Sequence, residues 1–452
     1  MLPRSTLASV LLLLVVGSAR PATEVAVHDS ELPALLYTVT KTYKPLAWLH
    51  GGERFSPDAA IFVRDKNGER RLVPDFATSA DPSVSFDGQR ILFAGKLRPQ
   101  DSWQIWEIAL ADGRPHRVTN AVEDSIRPFY LPDDRVVYAR KKGERYGVEI
   151  ADLDGAKPLA LTYIPTSAVP TDVLRDGRIL FESAYPLGTD GSPEIYAVYS
   201  DGSGIESYRC DHGRSRHSAR QSTSGDIVFE EPHGLARFTS ARAQQVSLSS
   251  PAGEYADSPA EIAPGEWIVP WRLDANQPFR LIRWSQGSSH TLDVLAEKDL
   301  NIVQPTLLAE RSVPNRHPSG LHDWSNANLL CLNAYTSKYQ FAPGSIHSVK
   351  LYARDAAGNV RLLGTAPVER DGSFFVQVPS EQPLQIELVD ASGKTLKRET
   401  GFFWMRRGEQ RGCVGCHAGP ETAPENAVPQ ILLKSTTPGD LTGVSMRSGG
   451  GH

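Results

Sequence analysis

With 452 residues and 40% apolar side chains, the chain can build more than one hydrophobic core. Its formal net charge of -5 gives no electrostatic basis for a nucleic acid or an anionic membrane as partner. Of the four cysteines, Cys210 and Cys331 could form a disulfide in an oxidising compartment. At the front, Arg4 precedes an uncharged apolar run from Leu7 to Val16, and Gly17-Ser18-Ala19 then supplies small residues for cleavage. The run falls short of the ~20 residues that span a bilayer. Residues 1–19 therefore read as an export signal, with a periplasmic or otherwise exported mature chain and no membrane span within it. Residues 20–44 read as a lead-in.

From 45 to 313 the sequence repeats. A turn followed by an apolar strand appears at Asp87-Gly88, Asp133-Asp134, Asp176-Gly177, Ser224-Gly225 and, more loosely, Pro264-Gly265, at intervals of 40–48 residues. Between these fall Asn67-Gly68, Asp112-Gly113, Asp154-Gly155 and Asp201-Gly202, with weaker counterparts near Ala241 and Gly287. Such pairs favour tight hairpins, because both central turn positions take positive φ. Two hairpins per period make four strands, the blade of a β-propeller, and six blades fit the count best. The turn-strand units resemble the TolB, or PD40, propeller family. That resemblance implies a fold and no particular function.

The period stops at the Pro-rich connector Pro314-Asn315-Arg316-His317-Pro318. Strand-like runs at Ala327–Tyr335, Ser348–Ala353, Phe374–Val378 and Leu384–Val389 then alternate with Asx-Gly turns, predicting an antiparallel β-sandwich over 314–400. The fold class is thus all-β: a six-bladed propeller, a small sandwich and, from the C-x-x-C-H sequence at Cys413–His417, a C-terminal c-type haem-binding segment at 401–434. Residues 435–452 read as a disordered tail.

The haem assignment comes from Cys413-Val414-Gly415-Cys416-His417, a C-x-x-C-H sequence. Two thiols at this spacing can add to the two vinyl groups of one porphyrin, and the following imidazole is placed to ligate its iron. One covalent haem c is the cofactor expected, with His417 as the iron ligand. Zinc is the alternative, held by Cys413, Cys416 and His417 with Cys331 or Cys210. Before the motif, Arg406 and Arg411 either pair with the haem propionates or carry solvated charge, and Trp404 packs against the porphyrin or its supporting core. Met405 is either a distal iron ligand or packing beside it. Cys210, His212 and His217 form a local cluster able to hold a metal, read as part of a loop.

From Pro314 to Pro429 the chain resembles the haem-binding middle domain of the hydrazine synthase alpha subunit family. The matching stretches are Leu330–Tyr335, Leu363–Val368, Asp371–Phe375, Trp404–His417 and Pro424–Asn426. The resemblance implies redox chemistry at the haem, with a redox partner protein or a small nitrogen or oxygen ligand. It further implies a zinc ion drawn to the motif histidine, for which His417, Cys331, Cys210, His212 and His217 are the candidate ligands. In that enzyme a tyrosine four residues after the motif histidine ligates the iron; the corresponding position here is Glu421. A binding module, with the propeller recognising a partner and the haem structural or sensory, is the reading from another class.

Overall fold

A computed structural model describes residues 32–209, 214–240, 243–288, 290–415 and 426–443. Among these, six antiparallel sheets of four or five strands follow one another, one for each sequence repeat. In the second sheet, for example, Thr78–Val84, Arg90–Lys96, Gln104–Ala109 and Pro115–Arg117 pair in chain order. The first sheet is the exception. Its end strand is Asn301–Leu307, from the far end of the repeat region, paired with Leu35–Thr40. Asn301–Leu307 also neighbours Thr78–Val84 of the second sheet and Ala260–Ala263 of the sixth, so the last strand closes the ring. Closure removes the open edges that a row of sheets would expose. Leu35–Thr40 lies inside the stretch read as a lead-in, which corrects that boundary: the strand is fully apolar or threonine and nearly all buried.

Each sheet's inner strand carries a break in register, and five of these breaks hold a non-glycine residue at positive φ: Asp81, Arg127, Ser218, Asp257 and Gln304. The breaks turn polar side chains into the centre of the ring. There Arg54 pairs with Asp81, Arg127 stands 3.6 Å from Asp257, and the Gln304 amide donates to Asp81 at 2.6 Å. A connector then crosses the face that carries the Asp-Gly turns. Arg311 N–H donates to the Phe86 carbonyl and Asn315 N–H to that of Arg175, while His317 stacks on Tyr199 at 3.6 Å.

Two four-stranded sheets follow. One orders Gln410–Cys413, Asn326–Cys331, Phe374–Pro379 and Gly439–Asp440; the other orders Val360–Pro367, Ser348–Arg354, Leu384–Val389 and Thr395–Arg398. Their apolar faces share one core that includes Leu329, Val349, Leu351, Val376 and Leu388. Gly439–Asp440 corrects the tail reading for that stretch: it adds a parallel edge strand beside Val376–Gln377, and Leu441 is buried in the core.

Candidate haem-binding cleft

The segment leading to the C-x-x-C-H sequence joins the two halves of the molecule. Trp404 is fully buried in the apolar core of the propeller's fourth sheet, near Phe181 and Tyr163. The next side chain, Met405, is fully buried in the sandwich core. This alternation places consecutive side chains of one connecting segment on opposite sides of the seam. Arg406 sits at the seam. Its guanidinium donates to the Asp201 carbonyl at 3.0 Å and to Tyr163 Oη, and pairs with Glu381 at 2.5 Å. Glu409 accepts from Gly204 N–H at 3.1 Å and holds Arg411 through two nitrogens, at 2.9 and 2.6 Å. Phe402 N–H donates to the Leu187 carbonyl at 2.7 Å, and Arg354 to that of Gly188 at 3.1 Å.

Gln410–Cys413 then runs parallel to Asn326–Cys331, with Cys413 directly opposite Cys331. Both cysteines line a cavity of about 320 Å³ between the propeller's fourth sheet and the sandwich. Tyr185, Leu187, Tyr196 and Ile205 form its propeller wall, and Leu329, Phe374, Leu388 and Phe403 its sandwich wall. Lys397 and Glu399 are its charged members on the sandwich side, and the Lys397 ammonium lies 4.2 Å from the centre of the Tyr339 ring. Burial pushes the Cys413 thiol up from its ordinary range; Arg411 opposes this and Glu409 adds to it. Burial, then Tyr339 and Glu399, push Tyr185 up likewise. The cleft is therefore a largely apolar slot with two thiols in its wall and few charges, the character of a small-molecule site.

Cys416, His417, Cys210 and His212 lie outside the described residues. Trp404, Arg406 and Arg411 do not line the cleft: Trp404 and Arg406 hold the sandwich to the propeller, and Arg411 pairs with Glu409. The reading of His217 as part of a loop cluster is corrected: it opens the inner strand His217–Gln221 of the fifth sheet. There it stands 3.1 Å from Glu230 and shares a 3.3 Å hydrogen bond with Ser218. Burial lowers its pKa to about 4, Arg127 adding to the effect and Asp257 opposing it. Among the described residues no group of three His, Cys, Asp or Glu side chains is arranged to hold a metal. Sequence reasoning missed the whole propeller wall, for which Tyr185-Pro186-Leu187 has no chemical signature.

Residues 334–418 match the family of the hydrazine synthase alpha subunit middle domain. The match spans the sandwich from Ala334 and takes in the C-x-x-C-H sequence. Hydrazine synthase from Kuenenia stuttgartiensis has a similar fold, with a TM-score of 0.76 at 16% identity over 89% of this chain and 71% of that one. TolB from Acinetobacter baumannii aligns at a TM-score of 0.47 and 14% identity, over 60% of this chain and 66% of its own. A search of the curated proteins gives no match. The likeness to hydrazine synthase thus covers propeller and sandwich together, and no helix among the described residues is long and apolar enough to cross a membrane.

Proposed function

We propose that this chain is an exported monohaem c-type cytochrome whose haem sits in the cleft at Cys413. The observation that carries the proposal is the position of the first thiol of C-x-x-C-H. It lies in the wall of an apolar slot large enough for a small-molecule group, in the segment matched to the hydrazine synthase alpha middle domain. Cys413 and Cys416 would hold the haem as thioethers and His417 would ligate its iron. When bound, the haem supplies one-electron exchange at iron. The chain's own residues exclude water with aromatic and aliphatic walls, which raises the reduction potential by disfavouring the extra charge of the ferric form. Lys397 would offer a cation to the propionates, because it lines the cleft and Arg406 and Arg411 do not. The apolar run at Leu7–Val16 supports export, the route on which covalent haem is installed.

The test is the visible spectrum of protein produced in an exporting host competent for haem attachment, ferric and reduced, with and without carbon monoxide. A haem spectrum that survives denaturation is expected, and its loss in Cys413→Ser is expected to follow. A low-spin spectrum indifferent to carbon monoxide means electron transfer. A carbon monoxide shift means an open iron position and extends the reading to catalysis on small nitrogen or oxygen species, as the likeness to hydrazine synthase suggests. Folded protein from a competent host without any haem band overturns the proposal.

A further inference from the structure

A second cavity, of about 380 Å³, opens where the propeller's centre meets the connector. It shares no lining residue with the cleft at Cys413. Ala309 to Pro314 of the connector forms one side, and Val84, Phe129 and Trp267 give it apolar walls.

Three arginines line it, in two different situations. Arg175 donates to the Ser222 and Thr223 carbonyls and so has acceptors within the fold. The Arg220 side chain has no hydrogen bond or ion pair among the described residues, and the Arg311 guanidinium has a single 3.3 Å bond to the Val84 carbonyl and a place 4.4 Å above the Phe86 ring. Neither has a carboxylate within 4 Å. The acids of the cavity are committed elsewhere or exposed: Asp172 accepts from Gln221 N–H at 2.8 Å, Glu261 from Thr223 and Gly265 N–H, and Glu310 faces solvent.

The contrast with other arginines of this chain is what gives the pair its meaning. Arg54 pairs with Asp81, Arg216 with Glu194 and Arg406 with Glu381. Those three are buried beside their acids, whereas Arg311 is exposed and Arg220 half-buried, and both reach one open cavity with no acid beside either. Two cations facing one space are relieved by an anion placed between them, and guanidinium forks match carboxylate and phosphate oxygens. The volume lies within the range of small-molecule sites, and the aromatic walls suit an apolar body.

We propose that this cavity binds a small organic anion, its carboxylate or phosphate head held by Arg220 and Arg311 and its apolar body against Phe129 and Trp267. Isothermal titration of the full chain with phenyl phosphate, phenylacetate and inorganic phosphate tests it. At least one aromatic anion should bind one to one, more tightly than inorganic phosphate, and the stronger of the two identifies the head group. Arg311→Gln, on the connector, should weaken that binding at least tenfold while leaving thermal unfolding of the free protein unchanged. Arg220→Lys should weaken it less than Arg220→Gln, because charge is kept and the fork is lost. Three results overturn the proposal: no aromatic anion bound at millimolar concentration, inorganic phosphate bound as tightly as phenyl phosphate and phenylacetate, or Arg311→Gln binding as the wild type does.

Discussion

Glu182 and His217 sit in the propeller core, each shifted toward its neutral form by burial. Burial raises Glu182 to about 7, although Arg127 at 4.0 Å and the Ser218 N–H pull the other way. A carboxyl protonated in the folded state and ionised in the unfolded one stabilises on the acid side, and that contribution fades as pH rises through 7. His217, lowered to about 4, has the opposite sign: it is neutral when folded, and stability is lost as pH falls below the unfolded value near 6.5. Between pH 5 and 8 the two slopes oppose one another, each worth roughly 2 kcal/mol. Glu182→Gln should therefore leave a protein whose stability rises from pH 5 to pH 8 relative to wild type, and His217→Gln one whose stability falls. Urea unfolding at the two pH values reads the tilt; equal tilts in both variants would refute the assignment. His217 also shows how far single residues could be read. Cys210, His212 and His217 looked like one loop cluster because they are close in sequence, but strand formation begins at His217 and draws its side chain toward Glu230. That carboxylate is thirteen positions away and its presence at the imidazole has no local signature.

At the level of strands and turns, the Asp-Gly pairs were legible because a tight turn demands a backbone that few residues adopt. The inner-strand breaks were not. A polar residue followed by proline recurs about six positions before several of these turns, at Asp81-Pro82 and Arg127-Pro128, and again at Gln304-Pro305. Proline in a strand ordinarily argues against a central position, and here it marks the bulge instead. Gly177 shows turn and connector acting together. Its φ is 88°, and a Cβ there would lie 2.3 Å from the Asn315 carbonyl oxygen of the connector. Gly177→Ala combines a strained backbone with a clash against main chain, so it should destabilise by about 2 kcal/mol or more in chemical denaturation. Gly113→Ala, at φ 64° with open space around the added carbon, should cost less. The approach to the cleft is the other decisive element. Trp404→Ala empties a fully buried site and should cost about 3–5 kcal/mol. A loss under 1 kcal/mol would mean that this segment does not anchor the sandwich.

For the molecule as a whole, the cleft exists because the sandwich is docked on the propeller's fourth sheet; neither part encloses it alone. The alternating runs announced a sandwich, and the thiol motif begins at a residue that lines the cleft. The surface on which the sandwich would dock could not be read, because it is made of single contacts scattered over some two hundred positions, such as Gly204 with Glu409. Arg406 is the contact with most partners, binding Asp201, Tyr163 and Glu381 at once. Arg406→Ala leaves the Glu381 carboxylate without its main cation in a partly buried seam, a loss of about 3 kcal/mol. Because Arg406 does not line the cleft, its effect on Cys413 must pass through docking. In haem-free protein the variant should loosen the propeller wall from the sandwich wall and let Cys413 react several-fold faster with iodoacetamide, followed site by site by mass spectrometry. Cys331 lines the same cleft opposite Cys413 and should label faster with it, so hydrogen exchange of the sandwich strand Ser348–Arg354 serves as the comparison. Faster labelling of the thiols with that strand's exchange unchanged is the signature of an opened cleft. Faster exchange there as well would mean that the sandwich itself had loosened, and no faster labelling would mean that the walls keep their spacing without Arg406.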